Sequence, residues 1–82
     1  MVNIKVLGPG CANCRRLAQL VYEVLEDLGL EATIEKVTEY PQILKYDILG
    51  TPGLVVNGKV VCAGRVPRKE EIRAWLQAAQ GT

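Results

Sequence analysis

The feature that most restricts the fold is a short apolar strand that leads through a glycine-rich break into a long amphipathic helix. Val2 to Leu7 is apolar and β-branched and ends at Gly8-Pro9-Gly10, which predicts a strand. From Cys11 onward, apolar residues recur at steps of three and four, and Gly29 follows as a left-handed stop; they are Leu17, Leu20, Val21, Val24, Leu25 and Leu28. The chain therefore begins with a strand and a helix that share a core.

The middle of the chain predicts a second strand and a short helix. Residues Leu30 to Val37 alternate in polarity, which favours a strand beside the first. Thr38 is positioned to cap a short helix with Pro41 in its first turn. The apolar side of this helix is expected to hold Ile43, Leu44 and Ile48 before Gly50-Thr51-Pro52 ends it.

The turn signal Asn57-Gly58 predicts an antiparallel hairpin with a type I′ turn. A two-residue turn pairs Val56 with Lys59, Val55 with Val60, Leu54 with Val61 and Gly53 with Cys62. This register places Cys62 beside Pro52. Cys62 is then either a buried small hydrophobic residue or an accessory thiol near a site, and in both cases we expect it to stay reduced.

A last helix follows Pro67, with Arg68 at the capping position and one apolar side formed by Ile72, Trp75, Leu76 and Ala79. The predicted order is β-α-β-α-β-β-α. A chain of 82 residues that is 49% hydrophobic supports one packed domain, which we assign to residues 1–82.

Charge and residue content exclude several classes of function. The net charge is +1 with both signs interspersed, so we expect neither a nucleic acid nor an anionic membrane as partner. No signal peptide or membrane span is visible, which predicts a cytoplasmic protein. The chain has three cysteines and no histidine, which excludes a Cys/His zinc site and a Cys–His nucleophile pair.

The chemistry of the chain is expected at Cys11 and Cys14. The first lies at a helix N-terminus and the second lies one turn later on the same face, so the two sulfurs can form a disulfide. The free amides of the first turn, with Arg15 and Arg16, favour a thiolate at Cys11. Cys11 is therefore the predicted nucleophile and Cys14 the predicted resolving thiol.

Two other functions use the same residues. The pair could bind or carry a soft metal such as copper or zinc, as in heavy-metal-associated domains, whose elements follow the order β-α-β-β-α-β. The fold could also serve as a redox-sensing adaptor without turnover. The order of elements distinguishes the metal-binding alternative from a disulfide oxidoreductase. Catalytic cycling distinguishes the adaptor from a disulfide oxidoreductase, because an adaptor would not turn over.

Taken together, the motifs resemble the thioredoxin-like superfamily, and in particular its short thioredoxin/glutaredoxin-like redox-active disulfide proteins. The resemblance spans nearly the whole chain and rests on Gly8-Pro9-Gly10 with the two cysteines, on Thr51-Pro52, on the Asn57-Gly58 hairpin and on Ala63-Gly64-Arg65-Val66-Pro67. It implies a minimal α/β fold of the thioredoxin type, with a central four-stranded mixed sheet flanked by three helices. It also implies that Pro52 is cis beside the cysteines and that the main chain of Thr51 binds substrate peptide.

The same resemblance implies an activity and its partners. The protein is expected to be a protein-disulfide reductase that acts on disulfide-containing client proteins as a monomer. A thioredoxin reductase or a similar electron donor would then reduce the protein again after each cycle. No cofactor is expected besides the redox-active Cys11–Cys14 disulfide, and no bound metal is expected.

Overall fold

Within residues 2–48 and 50–80, which the computed structural model describes, seven elements follow the predicted order. The strands are β1 (Val2–Leu7), β2 (Ala32–Val37), β3 (Gly53–Val56) and β4 (Lys59–Ala63). The helices are α1 (Ala12–Leu28), α2 (Tyr40–Leu44) and α3 (Lys69–Gln80). The single domain assigned to residues 1–82 stays a prediction, and residues 1, 49, 81 and 82 lie outside the described part of the chain.

The four strands form one mixed sheet in the order β2-β1-β3-β4. Strand β1 pairs in parallel with β2 and antiparallel with β3, and β3 pairs antiparallel with β4. The parallel pair needs a crossover, which α1 supplies between β1 and β2. The predicted α/β fold with a four-stranded mixed sheet and three helices is confirmed.

Alternation along the central strands supplies both faces of the sheet with apolar side chains. Ile4 and Val6 of β1 belong to a core with residues of α1 and α3, including Leu17, Val21, Ile72 and Leu76. Leu7, next along β1, belongs to a second core with Ile43 of α2, Val37 and Val55. Helices α1 and α3 thus cover one face and α2 covers the other, which leaves the end of β1 free to lead into the cysteine motif.

The turn chemistry of the sequence is largely confirmed. Gly29 ends α1 with φ 63°, and its N–H donates to the carbonyls of Glu26 and Leu25. In the β3–β4 hairpin, Asn57 and Gly58 have φ 51° and 83°, as a type I′ turn requires.

The predicted hairpin register is correct at the turn and wrong beyond it. Val56 pairs with Lys59 and Val55 with Val60, but Leu54 then pairs with Cys62 and Gly53 with Ala63. The register shifts between Leu54 and Val55 because Val61 is an extra residue in β4, a bulge that the turn signal does not encode. Cys62 therefore lies opposite Leu54 and not opposite Gly53.

Three details predicted for α2 are also wrong. The helix ends at Leu44, so Ile48 lies beyond it, although Ile48 still packs against the second core. Glu39, and not Thr38, occupies the N-cap position, and no side chain caps the helix. Leu44 is 68% exposed, because a five-residue helix turns only a narrow side toward the sheet and Ile43 occupies it. Pro41 does lie in the first turn as expected.

At the start of α3, an acidic residue performs the capping that Arg68 cannot perform. The Glu71 carboxylate accepts a hydrogen bond of 2.9 Å from the N–H of Arg68. It also binds both terminal nitrogens of Arg65, at 2.9 and 3.1 Å. These donors, the Arg65 guanidinium first, lower the pKa of Glu71 to about 2.

Replacing Glu71 with Gln is expected to lower the melting temperature at pH 7 by a few degrees, because the charged acceptor for Arg65 and Arg68 is lost. The folded pKa of Glu71 lies below its ordinary value of 4.5, so its stabilisation is present above pH 4.5 and fades as the pH falls toward 2. Thermal unfolding measured from pH 7 to pH 2 checks this. Glu70→Gln, in the same helical turn, serves as the control; equal curves for Glu71→Gln and wild type at pH 7 would contradict the assignment.

No helix in residues 2–48 or 50–80 has both the length and the apolar character needed to cross a membrane.

Candidate active site

Cys11 lies at the junction between the glycine-rich loop and α1, where it is exposed and forms the N-cap of the helix. Its sulfur accepts a hydrogen bond of 3.3 Å from the N–H of Cys14. Hydrogen bonds from the Cys14 side chain and from the Cys14 backbone lower the pKa of the Cys11 thiol below its ordinary value. The exposed cysteine is therefore the more acidic of the two.

Cys14 has the opposite environment one turn into α1. It is 5% exposed, and burial, followed by its hydrogen bond with Cys11, raises the pKa of its thiol. The two thiols are therefore poised differently, one exposed and acidic and the other buried and less acidic. The arrangement suits one attacking and one resolving thiol.

The predicted contribution of Arg15 and Arg16 to the Cys11 thiolate is not the main effect. The pKa of Cys11 is lowered first by Cys14 and then by backbone groups of the first turn. The guanidinium of Arg15 turns instead to the preceding loop and donates to the carbonyl of Gly10 at 2.9 Å.

On gradual alkylation of the reduced protein, Cys11 is expected to react first and at a lower pH than an ordinary thiol, because it is exposed and its thiolate accepts hydrogen bonds. Cys14 and Cys62 are buried and should react much later. Mass spectrometry of iodoacetamide-treated protein between pH 5 and pH 9 measures the order. Modification of Cys14 before Cys11 would reverse their assigned roles.

Gly8, at the end of β1, makes room for the buried thiol. A Cβ atom at this position would overlap the Cys14 sulfur and would lie 3.3 Å from the Cys14 Cβ. The same atom would lie 3.8 Å from the Cβ of Thr51. Thr51 and Cys14 therefore flank the same glycine, which brings two separate sequence motifs together.

The Thr51-Pro52 segment enters the sheet at the same end. The peptide bond between these residues is cis, Thr51 is half-buried, and Pro52 is buried. The Pro52 carbonyl accepts a hydrogen bond of 2.9 Å from the N–H of Gly64. The place opposite Gly53 that the sequence assigned to Cys62 is taken by Ala63, one residue further along.

Cys62 lies in the core that α1 and α3 cover, where it is 8% exposed. Its thiol donates to the carbonyl of Arg65 over 3.8 Å. Its surroundings are those of a buried small hydrophobic residue, which was one of the two predictions from sequence, the other being an accessory thiol.

Candidate metal ligands are sparse near the cysteine motif. Across the described residues, no group of three or more Cys, His, Asp or Glu side chains is arranged to hold a metal ion. Cys11 and Cys14 would have to supply both sulfur ligands of any such ion, without a third ligand from this set.

A family model described as the thioredoxin domain matches residues 2–77, which is most of the chain and includes the whole site. The chain belongs to the thioredoxin-domain family. Membership in this family supports a role of the thiol–disulfide oxidoreductase type. It also implies two general classes of partner, disulfide-containing proteins and a reductase.

Two archaeal relatives named thioredoxin are similar over their lengths. The protein from Methanothermobacter thermautotrophicus is 42% identical over 76 residues, which cover 93% of this chain and 99% of the relative. The protein from Methanocaldococcus jannaschii is 35% identical over 78 residues, which cover 95% of this chain and 90% of the relative. The predicted resemblance to the thioredoxin-like superfamily is confirmed.

A solved structure, the J-Trx1 fragment of ERdj5, shares the fold with a TM-score of 0.57 and 17% identity. The match covers 96% of this chain and 43% of that fragment. At this identity it supports the architecture alone.

The sequence alone pointed to the two cysteines and to the Thr51-Pro52 segment, which the structure brings to the same end of the sheet. It did not find the contact between Gly8 and the Cys14 sulfur, although a glycine three residues before Cys11 was part of the motif. It also did not find Lys36, which lines a cavity with Cys14 and Arg15. A lysine at the end of an alternating strand carries no distinguishing signal.

Proposed function

We propose that the protein reduces disulfides of client proteins through Cys11 and Cys14. The observation that carries the proposal is the difference between the two thiols: Cys11 is exposed with a lowered pKa, and Cys14 is buried with a raised pKa. A nucleophile must be accessible and ionised, whereas a resolving thiol must wait until the mixed disulfide has formed.

The Cys11 thiolate attacks one sulfur of a client disulfide and forms a mixed disulfide, and the other client sulfur leaves as a thiolate. Cys14 then loses its proton and attacks the Cys11 sulfur. The Cys11–Cys14 disulfide forms, and the client is released with both of its sulfurs reduced. Two electrons have moved from this protein to the client, so a donor must return two electrons before the next cycle.

We further propose that the main chain of Thr51 holds the client peptide while Pro52 closes the site beside the cysteines. The position of Thr51 next to Gly8 and Cys14 supports this role. Pro52 also presents no N–H that could hydrogen-bond a neighbouring sulfur. The donor would be a thioredoxin reductase or a similar enzyme, and the protein would work as a cytoplasmic monomer with no cofactor beyond its own disulfide.

The order of elements favours this function over metal transport. The structure has a helix and the Thr51-Pro52 segment between the second strand and the hairpin, whereas the order expected for heavy-metal-associated domains has neither.

Turnover tests the proposal. Catalytic amounts of the protein should accelerate the reduction of insulin disulfides by dithiothreitol, and a thioredoxin reductase with its electron donor should replace dithiothreitol. Oxidised protein should show a Cys11–Cys14 bond by peptide mapping. If insulin reduction with the protein were no faster than with dithiothreitol alone, the proposal would be overturned and a redox-sensing adaptor would be favoured.

A further inference from the structure

A small cavity of about 200 Å³ opens beside Cys14, between the end of β1, the start of α1 and the end of β2. Its lining is formed by Val6, Gly8, Gly10, Cys14, Arg15, Lys36 and Thr38. Gly10 directly precedes Cys11, so the cavity begins one residue from the predicted nucleophile. Two of the lining side chains are cationic and none is acidic.

Strand alternation explains why Lys36, and not its neighbour Glu35, lines this cavity. Lys36 pairs with Val6 across the parallel strands, so it stands on the α1 side of the sheet. Its neighbour Glu35 pairs with Lys5, whose side chain turns to the opposite face and donates to the Tyr46 hydroxyl at 3.0 Å. A second cavity of about 260 Å³ shares Lys36 with the first, but it is also lined by Glu35 and Glu39, so its charges are mixed.

The two cations beside Cys14 are not neutralised by the protein itself. The ion pairs of the structure join Arg65 to Glu71 and connect Lys69 and Arg73 to acidic residues of α1. Within residues 2–48 and 50–80, neither Arg15 nor Lys36 takes part in an ion pair. Arg15 is held by its bond to the Gly10 carbonyl, which occupies one of the five N–H donors of a guanidinium.

We propose that this cavity binds the carboxylate of an Asp or Glu side chain that lies near the disulfide of the client protein. Arg15 and Lys36 both line the cavity and attract the carboxylate, and a volume of about 200 Å³ suits a single side chain. The inference rests on the proposed function and adds a preference among clients: disulfides flanked by acidic residues are reduced fastest.

Matched peptides test the preference. Two synthetic peptides with one intramolecular disulfide differ only in a Glu or a Gln beside the first cysteine. At low ionic strength, kcat/KM for the Glu peptide is expected to exceed that for the Gln peptide by about three- to fivefold, as for a partly exposed ion pair. The ratio should fall toward one in 0.5 M salt.

The variant Lys36→Gln should bring the ratio of the two rates close to one at low ionic strength. Lys59→Gln is the matched control, since it removes the same charge at the β3–β4 turn, at the opposite end of β3 from Pro52. A ratio near one for the wild type, or an equal loss of preference in both variants, would overturn the inference. Reduction of the Gln peptide by wild type reports the proposed function separately, because it needs the cysteines but not the carboxylate.

Discussion

Replacing Cys11 with Ser will reduce catalysed disulfide reduction to the background rate. The substitution keeps nearly the same shape at the N-cap but removes the only sulfur of the pair that a client can reach, because Cys14 is 5% exposed. A serine hydroxyl at this position cannot form a mixed disulfide. The insulin assay measures the loss, and circular dichroism confirms that the variant remains folded.

The matched change Cys14→Ser is expected to have a different outcome. Cys11 can still attack, but nothing resolves the mixed disulfide, so a covalent complex with the client should accumulate and be visible on a non-reducing gel. Cys62→Ser is the control and should turn over at nearly the wild-type rate, since Cys62 is buried in the core of α1 and α3. Full activity of Cys11→Ser, or no covalent complex with Cys14→Ser, would contradict the mechanism.

Gly8→Ala is expected to damage the site, because among the described glycines an added Cβ meets its closest contact at Gly8. The added Cβ would overlap the Cys14 sulfur, and the Cys14 Cβ lies only 3.3 Å away, so the thiol must rotate out of place. Overpacking of this kind costs about 1–3 kcal/mol of folding free energy. A displacement of about 1 Å in a reacting group can slow a step about 10²-fold, and we expect a loss of this order in the resolution of the mixed disulfide.

Stopped-flow measurement of mixed-disulfide decay separates this effect from the first attack, which depends on Cys11 and should change little. Gly50→Ala is the control, because its added Cβ would meet only the Gly64 Cα at an ordinary 3.5 Å. Resolution at the wild-type rate in Gly8→Ala would show that Cys14 has room to move and that the glycine is not needed for the buried thiol.

The sequence by itself determined the order of elements and the turns that join them. The periodicity of α1, the Gly29 stop and the Asn57-Gly58 turn are local, since each depends on φ values or spacings within a few residues. Cys11 could be placed at a helix start for the same reason. The features expected of Thr51-Pro52 came from the resemblance to a family and not from local pattern.

Tertiary structure decided what surrounds the two thiols. The bulge at Val61 places Cys62 opposite Leu54 instead of Gly53, and the burial that raises the pKa of Cys14 comes from packing, which no local pattern records. Gly8 could be read as a loop residue, but its contact with the Cys14 sulfur appears only when the end of β1 and the first turn of α1 are brought together. Lys36 lies 22 residues from Cys14 in sequence, and only the parallel pairing of β1 with β2 brings it into the same cavity.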